Sequence, residues 1–241
     1  MKEKKGFLIS LMIIFGIVIL AVFLFMLAAR SQWLSAVIKP QVSESGGVQL
    51  YAEDCLDSVA KYAAYTVGKQ GGSIHLQPSP FTNLFLEVNY AFDSANEFPG
   101  IDTVKSEMEQ FINENLKNCT AGFRSFEAKG MKIEEGNVSS HIFLGPKSFV
   151  VKAEYPLKIT SGGKTASIDV IQKDIPLNLG RIHSETNAFL SGFSDRYNLT
   201  YLRGRSSSTY ILPFGETDLF VEASSESRLF GENYLFLYAV R

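Results

Sequence analysis

The side chains of this chain that could do chemistry are two cysteines, three histidines and scattered acids, and their spacing supports little of it. His75, His141 and His183 stand far apart. No His-Glu-x-x-His pair sets two imidazoles on one helix face around zinc. A Gly-x-Ser-x-Gly elbow and a phosphate-cradling glycine loop are both missing from the sequence. Asp93-Ser-Ala-Asn-Glu97 gathers oxygen ligands of the kind calcium takes, but lacks the alternating pattern and distal bidentate glutamate of an EF-hand loop. A solvated loop is the expectation there. His183 with Glu185, and His75 beside Gln77, read as local hydrogen-bonded pairs rather than as general bases. The expected protein is therefore not an enzyme and takes no metal or cofactor.

Cys55 and Cys119 are the two cysteines, and no Cys-x-x-Cys is present. In an oxidising compartment an isolated pair reads as a structural disulfide before a redox or metal site, with two buried free thiols as the other reading. Such a bridge is worth about 4 kcal/mol in chain entropy. Asn118, Asn137 and Asn198 each open an Asn-x-Ser/Thr sequon and are candidate glycan acceptors. Gln70-Gly71-Gly72-Ser73 suits a helix cap that turns into a strand at Ile74; its amides could instead receive an anion or a partner strand. Arg203 and Arg205, followed by Ser206-Ser207-Ser208, read as an exposed loop. With 19 Phe and 10 Tyr the chain has material for a binding surface, although aromatics at alternating strand positions are more simply core.

These residues must be carried by elements, and the first of them is an anchor. Gly6 to Ala29 is an unbroken run of 24 uncharged, mostly apolar residues between the basic leader Lys2-Glu3-Lys4-Lys5 and Arg30. As a helix it spans about 36 Å, enough for a hydrocarbon core of about 30 Å. Three lysines precede it, and only Arg30 and Lys39 follow closely. Residues 1–5 are thus expected in the cytoplasm, 6–29 in the lipid, 30–47 as a juxtamembrane linker, and 48–241 outside. Trp33 falls where indoles favour the membrane interface. A cleaved secretory signal is the competing reading, with Ala28-Ala29 as its cleavage site, but its apolar region usually runs about 7–15 residues. Past the leader the charge balance drops from −2 to about −4, mixed along the chain, which offers nucleic acid no basic surface.

The remainder predicts an α+β ectodomain of mainly antiparallel sheet packed against two or three helices. Ala52, Cys55, Leu56, Val59, Ala60, Ala63 and Val67 recur at helical spacing and predict a helix over Val48 to Lys69. Val104, Met108, Phe111, Ile112 and Leu116 predict a second over Asp102 to Leu116, with Asp102 as N-cap and Cys119 just past its end. A bridge would tie the two helices together. Strands are expected at Ile74–Leu76, Leu84–Phe92, Phe126–Ile133, Ser139–Leu144, Ser148–Thr160, Thr165–Leu179, Thr209–Leu212, Leu219–Ala223 and Asn233–Val240. A further helix is expected over Ile182 to Tyr197, with Ala188, Phe189, Phe193 and Tyr197 on one face.

Two resemblances add to this. Lys4-Lys5-Gly6-Phe7 before an apolar helix resembles the processing site of type IV pilin-like precursors, which are cut after the glycine, here between Gly6 and Phe7. The glutamate those pilins carry five residues after the cut is replaced by Leu11, and Pro40 and Ser43 to Gly47 break the helix early. Tyr51-Ala-Glu53-Asp-Cys55-Leu56, the Gln70-Gly71-Gly72 turn, Asn118-Cys119 and the aromatic tail Tyr234 to Arg241 resemble an uncharacterised group of archaeal single-pass membrane-anchored ectodomain proteins. That resemblance implies a cell-envelope ectodomain and a paired Cys55–Cys119. The expected function is a non-enzymatic envelope module, held in membrane lipid by its N-terminal helix and binding another envelope protein or a surface polymer. A pilin-like filament subunit is the first alternative, and an extracytoplasmic hydrolase or sensor with a noncontiguous site the second.

Overall fold

The computed structural model describes residues 44–192 and 207–241. The expected span at 6–29, the Gly6–Phe7 cleavage site, Trp33 and the linker up to residue 43 lie outside them, as do Phe193, Tyr197, Asn198, Arg203, Arg205 and Ser206. Among the described residues no helix is long and apolar enough to cross a membrane. The described chain is α+β, with antiparallel pairing dominant.

Helix α1 (Glu44–Lys69) is the organising element. Its expected apolar stripe is buried in full, joined by Val48 and Ala64. It starts at Glu44 rather than Val48, because Gly46 and Gly47 are helical and do not break the chain. Glycine costs a helix about 1 kcal/mol relative to alanine. Here that cost is offset by packing, for Val48 is fully buried and Gly47 lies beside the Phe126 ring. Small residues then let the helix approach the sheets. A Cβ on Gly68 would stand 2.5 Å from the Leu235 carbonyl oxygen, and the Tyr234 hydroxyl donates to the Ala64 carbonyl at 3.0 Å.

Helix α2 (Ile101–Thr120) packs along α1 and buries Val104, Met108, Ile112, Leu116 and Thr120. Gly100, in extended conformation, occupies the N-cap; Asp102 lies inside the first turn and pairs with Lys105 at 2.9 Å. Cys119 sits within the last turn and not beyond it. Its sulfur bonds Cys55 of α1 at 2.19 Å, with the Cα atoms 5.6 Å apart. After a left-handed turn at Ala121, Gly122 and Phe123 comes the short helix α3 (Arg124–Glu127), which takes the first two residues of the strand expected over Phe126–Ile133; strand begins only at Lys132. Phe123 is fully buried and Phe126 packs on Tyr51, 5.6 Å between centroids, so core contacts decide the local backbone over β propensity.

One sheet contains β5 (Lys132–Glu135), β6 (Ser139–Leu144), β7 (Phe149–Ser161) and β8 (Lys164–Ile175). β5 and β6 share one side of β7, and β8 takes the other, all antiparallel. Phe149, Val151, Ala153, Tyr155, Leu157 and Ile159 alternate into the core with the strand period of two. Pro156 is tolerated in this central strand at a β-bulge, opposite the break between β5 and β6. Its carbonyl accepts Gly136 N–H at 2.7 Å, and a side chain on Gly136 would meet the proline ring at 3.0 Å. The outer edge of β6 is closed by α2, since Asn113 Oδ1 accepts Ser140 N–H at 2.8 Å and Glu109 Oε1 accepts Ile142 N–H at 2.7 Å.

The second sheet runs β4-β3-β11-β10-β9: β3 (Tyr90–Asp93), β4 (Ala95–Asn96), β9 (Ser207–Phe214), β10 (Thr217–Leu229) and β11 (Glu232–Val240). β11 pairs parallel to β3. Its nearly continuous apolar run reflects burial on both faces. Phe236 and Tyr238 enter the main core, while Leu237 and Ala239 join a smaller cluster under the hairpin of β1 (Phe81–Asn83) and β2 (Leu86–Val88). The strand expected over Leu84–Phe92 is therefore three pieces: a hairpin tip at Leu84-Phe85, β2, and β3.

Ile74–Leu76 is not a strand. Side chains satisfy its backbone instead: Glu107 Oε2 accepts Ile74 N–H at 2.7 Å, Asn89 Oδ1 accepts Gln77 N–H at 2.6 Å, and Asn89 Nδ2 donates to the His75 carbonyl at 2.8 Å. β8 stops at Ile175, before Pro176, and helix α4 (Leu179–Ser191) follows. Its buried face is Leu179, Ile182, His183, Thr186, Phe189 and Leu190; Ala188, expected on that face, is exposed.

Candidate functional site

Most residues with chemical capacity are occupied in holding the fold. The Gln70–Ser73 segment caps α1: Gly71 and Gly72 adopt φ of +78° and +88°, and Gly72 N–H donates to the Val67 carbonyl at 2.9 Å. Both glycines are buried, so this turn offers no open amides to an anion, and it leads into the side-chain-bonded loop rather than a strand. His183 does not pair with Glu185, which instead accepts from Arg181 Nε at 2.9 Å. The His183 ring is buried against Phe98, 4.7 Å between centroids, and its Nε2–H donates to the Pro99 carbonyl at 2.8 Å. Burial holds its pKa below the usual value, with the Pro99 carbonyl opposing. Gln77 bonds the backbone of Tyr90 instead of pairing with His75, and both His75 and His141 are exposed.

In the Asp93–Glu97 turn, Asp93 takes a two-pronged contact from Arg241, the shorter arm 2.6 Å, and Asn96 Oδ1 accepts Phe98 N–H at 3.0 Å. Asn118 and Asn137 are exposed, but Thr120 of the first sequon is buried and bonded to Tyr155 at 3.2 Å. Burial and the adjacent Glu135 carboxylate push the Tyr155 phenol well above its usual range. Among the described residues no group of three or more His, Cys, Asp or Glu side chains is placed to hold a metal.

A buried polar layer between α4 and β10 escapes sequence reading, because a glutamate within Val221-Glu-Ala-Ser-Ser-Glu-Ser227 gives no sign of its face. The Glu222 carboxylate, fully buried, accepts from Thr186 at 3.1 Å, Tyr238 at 3.0 Å and Ser207 at 3.2 Å. Beside it Asn178 Oδ1 accepts from Ser227 at 2.8 Å and Ser224 at 3.3 Å. Hydroxyl donors on both oxygens satisfy the carboxylate where it lies, which fits a pin for α4. A surface groove beside α4 is lined by Ile101, Leu144, Pro146, Arg181 and Glu185. Its cation is already shared between Glu185 and Glu226, the latter at 3.5 Å.

The arrangement with unspent contact capacity lies at the C-terminal end of α1. A groove there runs between Tyr65, Lys69 and Gln70 and the hairpin residues Thr82–Glu87. At the hairpin tip Leu84 and Phe85 are 88% and 96% exposed. Tyr62 stacks on Phe111 at 5.9 Å and stands 6.1 Å from Tyr65, whose ring meets Phe230 at 6.2 Å. Phe230 is 62% exposed at a φ of +53°, a left-handed conformation that bulky residues rarely hold. Asn or Gly would suit that conformation, and solvent would favour polar side chains at both hairpin turns. Lys69 Nζ lies 5.7 Å from the Tyr65 ring centroid, and Glu87 adds a carboxylate to the lining. The surface thus combines aromatic and aliphatic anchors with a polar border, as binding patches do. The chain matches no protein-family model, no curated protein and no solved structure.

Proposed function

We propose that this chain is a membrane-anchored, extracytoplasmic, non-enzymatic module that binds another envelope protein or a surface polymer through the aromatic groove at the end of α1. The supporting observation is the exposure of Leu84 and Phe85 at a turn where apolar side chains gain nothing from solvent. The apolar run at 6–29 supports the anchor, and the disulfide suits an oxidising exterior. The test is a photo-crosslinking side chain at position 85 of the full chain in its native membrane. The expected result is an adduct with an envelope component, lost on Leu84→Asn combined with Phe230→Asn, changes that the two turns accommodate. An unreacted chain, or the same adducts from a probe on the exposed position His141 of β6, overturns the reading.

One observation favours a pilin-like subunit as the second reading. α1 runs unbroken through Ser45, Gly46 and Gly47, the residues whose composition argued for an early break. Intact mass and N-terminal sequencing of membrane-extracted protein decide between them. A chain that keeps Lys2 to Lys5 supports the permanent anchor, and one beginning at Phe7 supports the filament subunit.

A further inference from the structure

An open strand edge invites pairing with another chain, and proteins close such edges by shortness, charge or cover. Every described edge but one is closed in this way. β1 and β2 have three residues each, β4 has two, and β5 has four, with Lys132, Glu134 and Glu135 among them. The amides of β6 are taken by Asn113 and Glu109 of α2. β8 carries Lys164, Asp169, Lys173 and Asp174 along its length. β9 is the exception: eight residues, Ser207-Ser-Thr-Tyr-Ile-Leu-Pro-Phe214, with no charge, at the end of the five-stranded sheet. Tyr210 is 57% and Leu212 44% exposed, and both share a sheet face with Val221 and Leu219 of β10. Pro213 lacks an N–H but is next to last, which leaves Ser207–Leu212 able to pair.

We propose that β9 pairs antiparallel with β9 of a second copy of this chain about a two-fold axis, extending the sheet across both copies. A two-fold pairing sets the residue on the axis against its own copy, so a lone charge there meets a like charge. An uncharged strand carries no such penalty, and it also lacks the charges that would select a different, oppositely charged strand. With Ile211 on the axis, Tyr210 of each copy would face Leu212 of the other and the two Leu212 side chains would be diagonal neighbours, burying apolar surface that the single chain leaves in water. None of the residues proposed above to meet an envelope partner is used.

The experiment measures the mass of the full chain in mild detergent by sedimentation, with hydrogen exchange read at residues 207–212. The expected result is a dimer whose β9 amides exchange more slowly than after dilution to monomer. Leu212→Lys is expected to raise the dissociation constant roughly tenfold or more, as is Leu212→Glu, while an equal mixture of the two variants restores association. That rescue separates a lost interface from a lost fold. A chain that stays monomeric at about 100 μM, far above the constant of a modest interface, overturns the proposal. So does a dimer that is indifferent to both substitutions.

Discussion

At the scale of single residues, the fold handles polar groups by satisfying them internally. His183 shows the consequence most directly. Its folded pKa lies below the usual 6.5, so the unfolded chain binds the proton first as the pH falls. This group's contribution to stability is thus complete above that value and is lost progressively below it. His183→Gln keeps a donor for the Pro99 carbonyl and removes the titration. The variant is expected to lose less unfolding free energy than the parent between about pH 7.5 and 5.5, as read by urea titration at both pH values. Equal losses would show that the buried ring is not the titrating group. Nothing in the sequence around His183 points to Pro99, because the two meet only when α4 docks against the residues preceding α2.

At the scale of elements, α1 lies against β11 with no room for a side chain at Gly68. Gly68→Ala should gain about 1 kcal/mol of helix propensity. A methyl 2.5 Å from a backbone oxygen cannot be relieved by a rotamer change, and the Tyr234 hydroxyl stands equally close. The expected net result is a lower melting temperature, measured by circular dichroism; an unchanged or higher one would mean that α1 can slide. The stripe of α1 was legible because it is a long periodic pattern facing one large core, and β7 because it is a long run rich in β-branched and aromatic residues. Three short pieces were not. Ile74–Leu76 is set by the side chains of Glu107 and Asn89, remote in sequence. Arg124–Glu127 is set by the burial of Phe123. Leu84-Phe85 reads as the start of a strand, since an apolar pair looks the same in a core as on a hairpin tip. The aromatic groove was hidden for that last reason, and the edge status of β9 because edge and centre strands share one alphabet.

At the scale of the whole molecule, α1 contacts both sheets as well as α2, and the disulfide fastens the middle of α1 to the last turn of α2. The cysteines are 64 positions apart, and replacing both with serine is expected to lower the unfolding free energy by about 4 kcal/mol through the larger entropy of the open chain. The check is a shifted urea midpoint with the slope also increased, as a less constrained unfolded state exposes more surface. The same bond has a mechanical consequence. Tension between Glu44 and the chain beyond Cys119 can peel α1 only as far as Cys55, where the load crosses to Cys119 through a covalent bond. About 220 Å of contour, at about 3.4 Å per residue, is thereby kept out of the load path. A pull on the hairpin that presents Leu84 and Phe85 enters inside that loop instead, and reaches Cys55 by two routes at once, one along the chain and one through Cys119 and the disulfide, so each arm bears only part of the load.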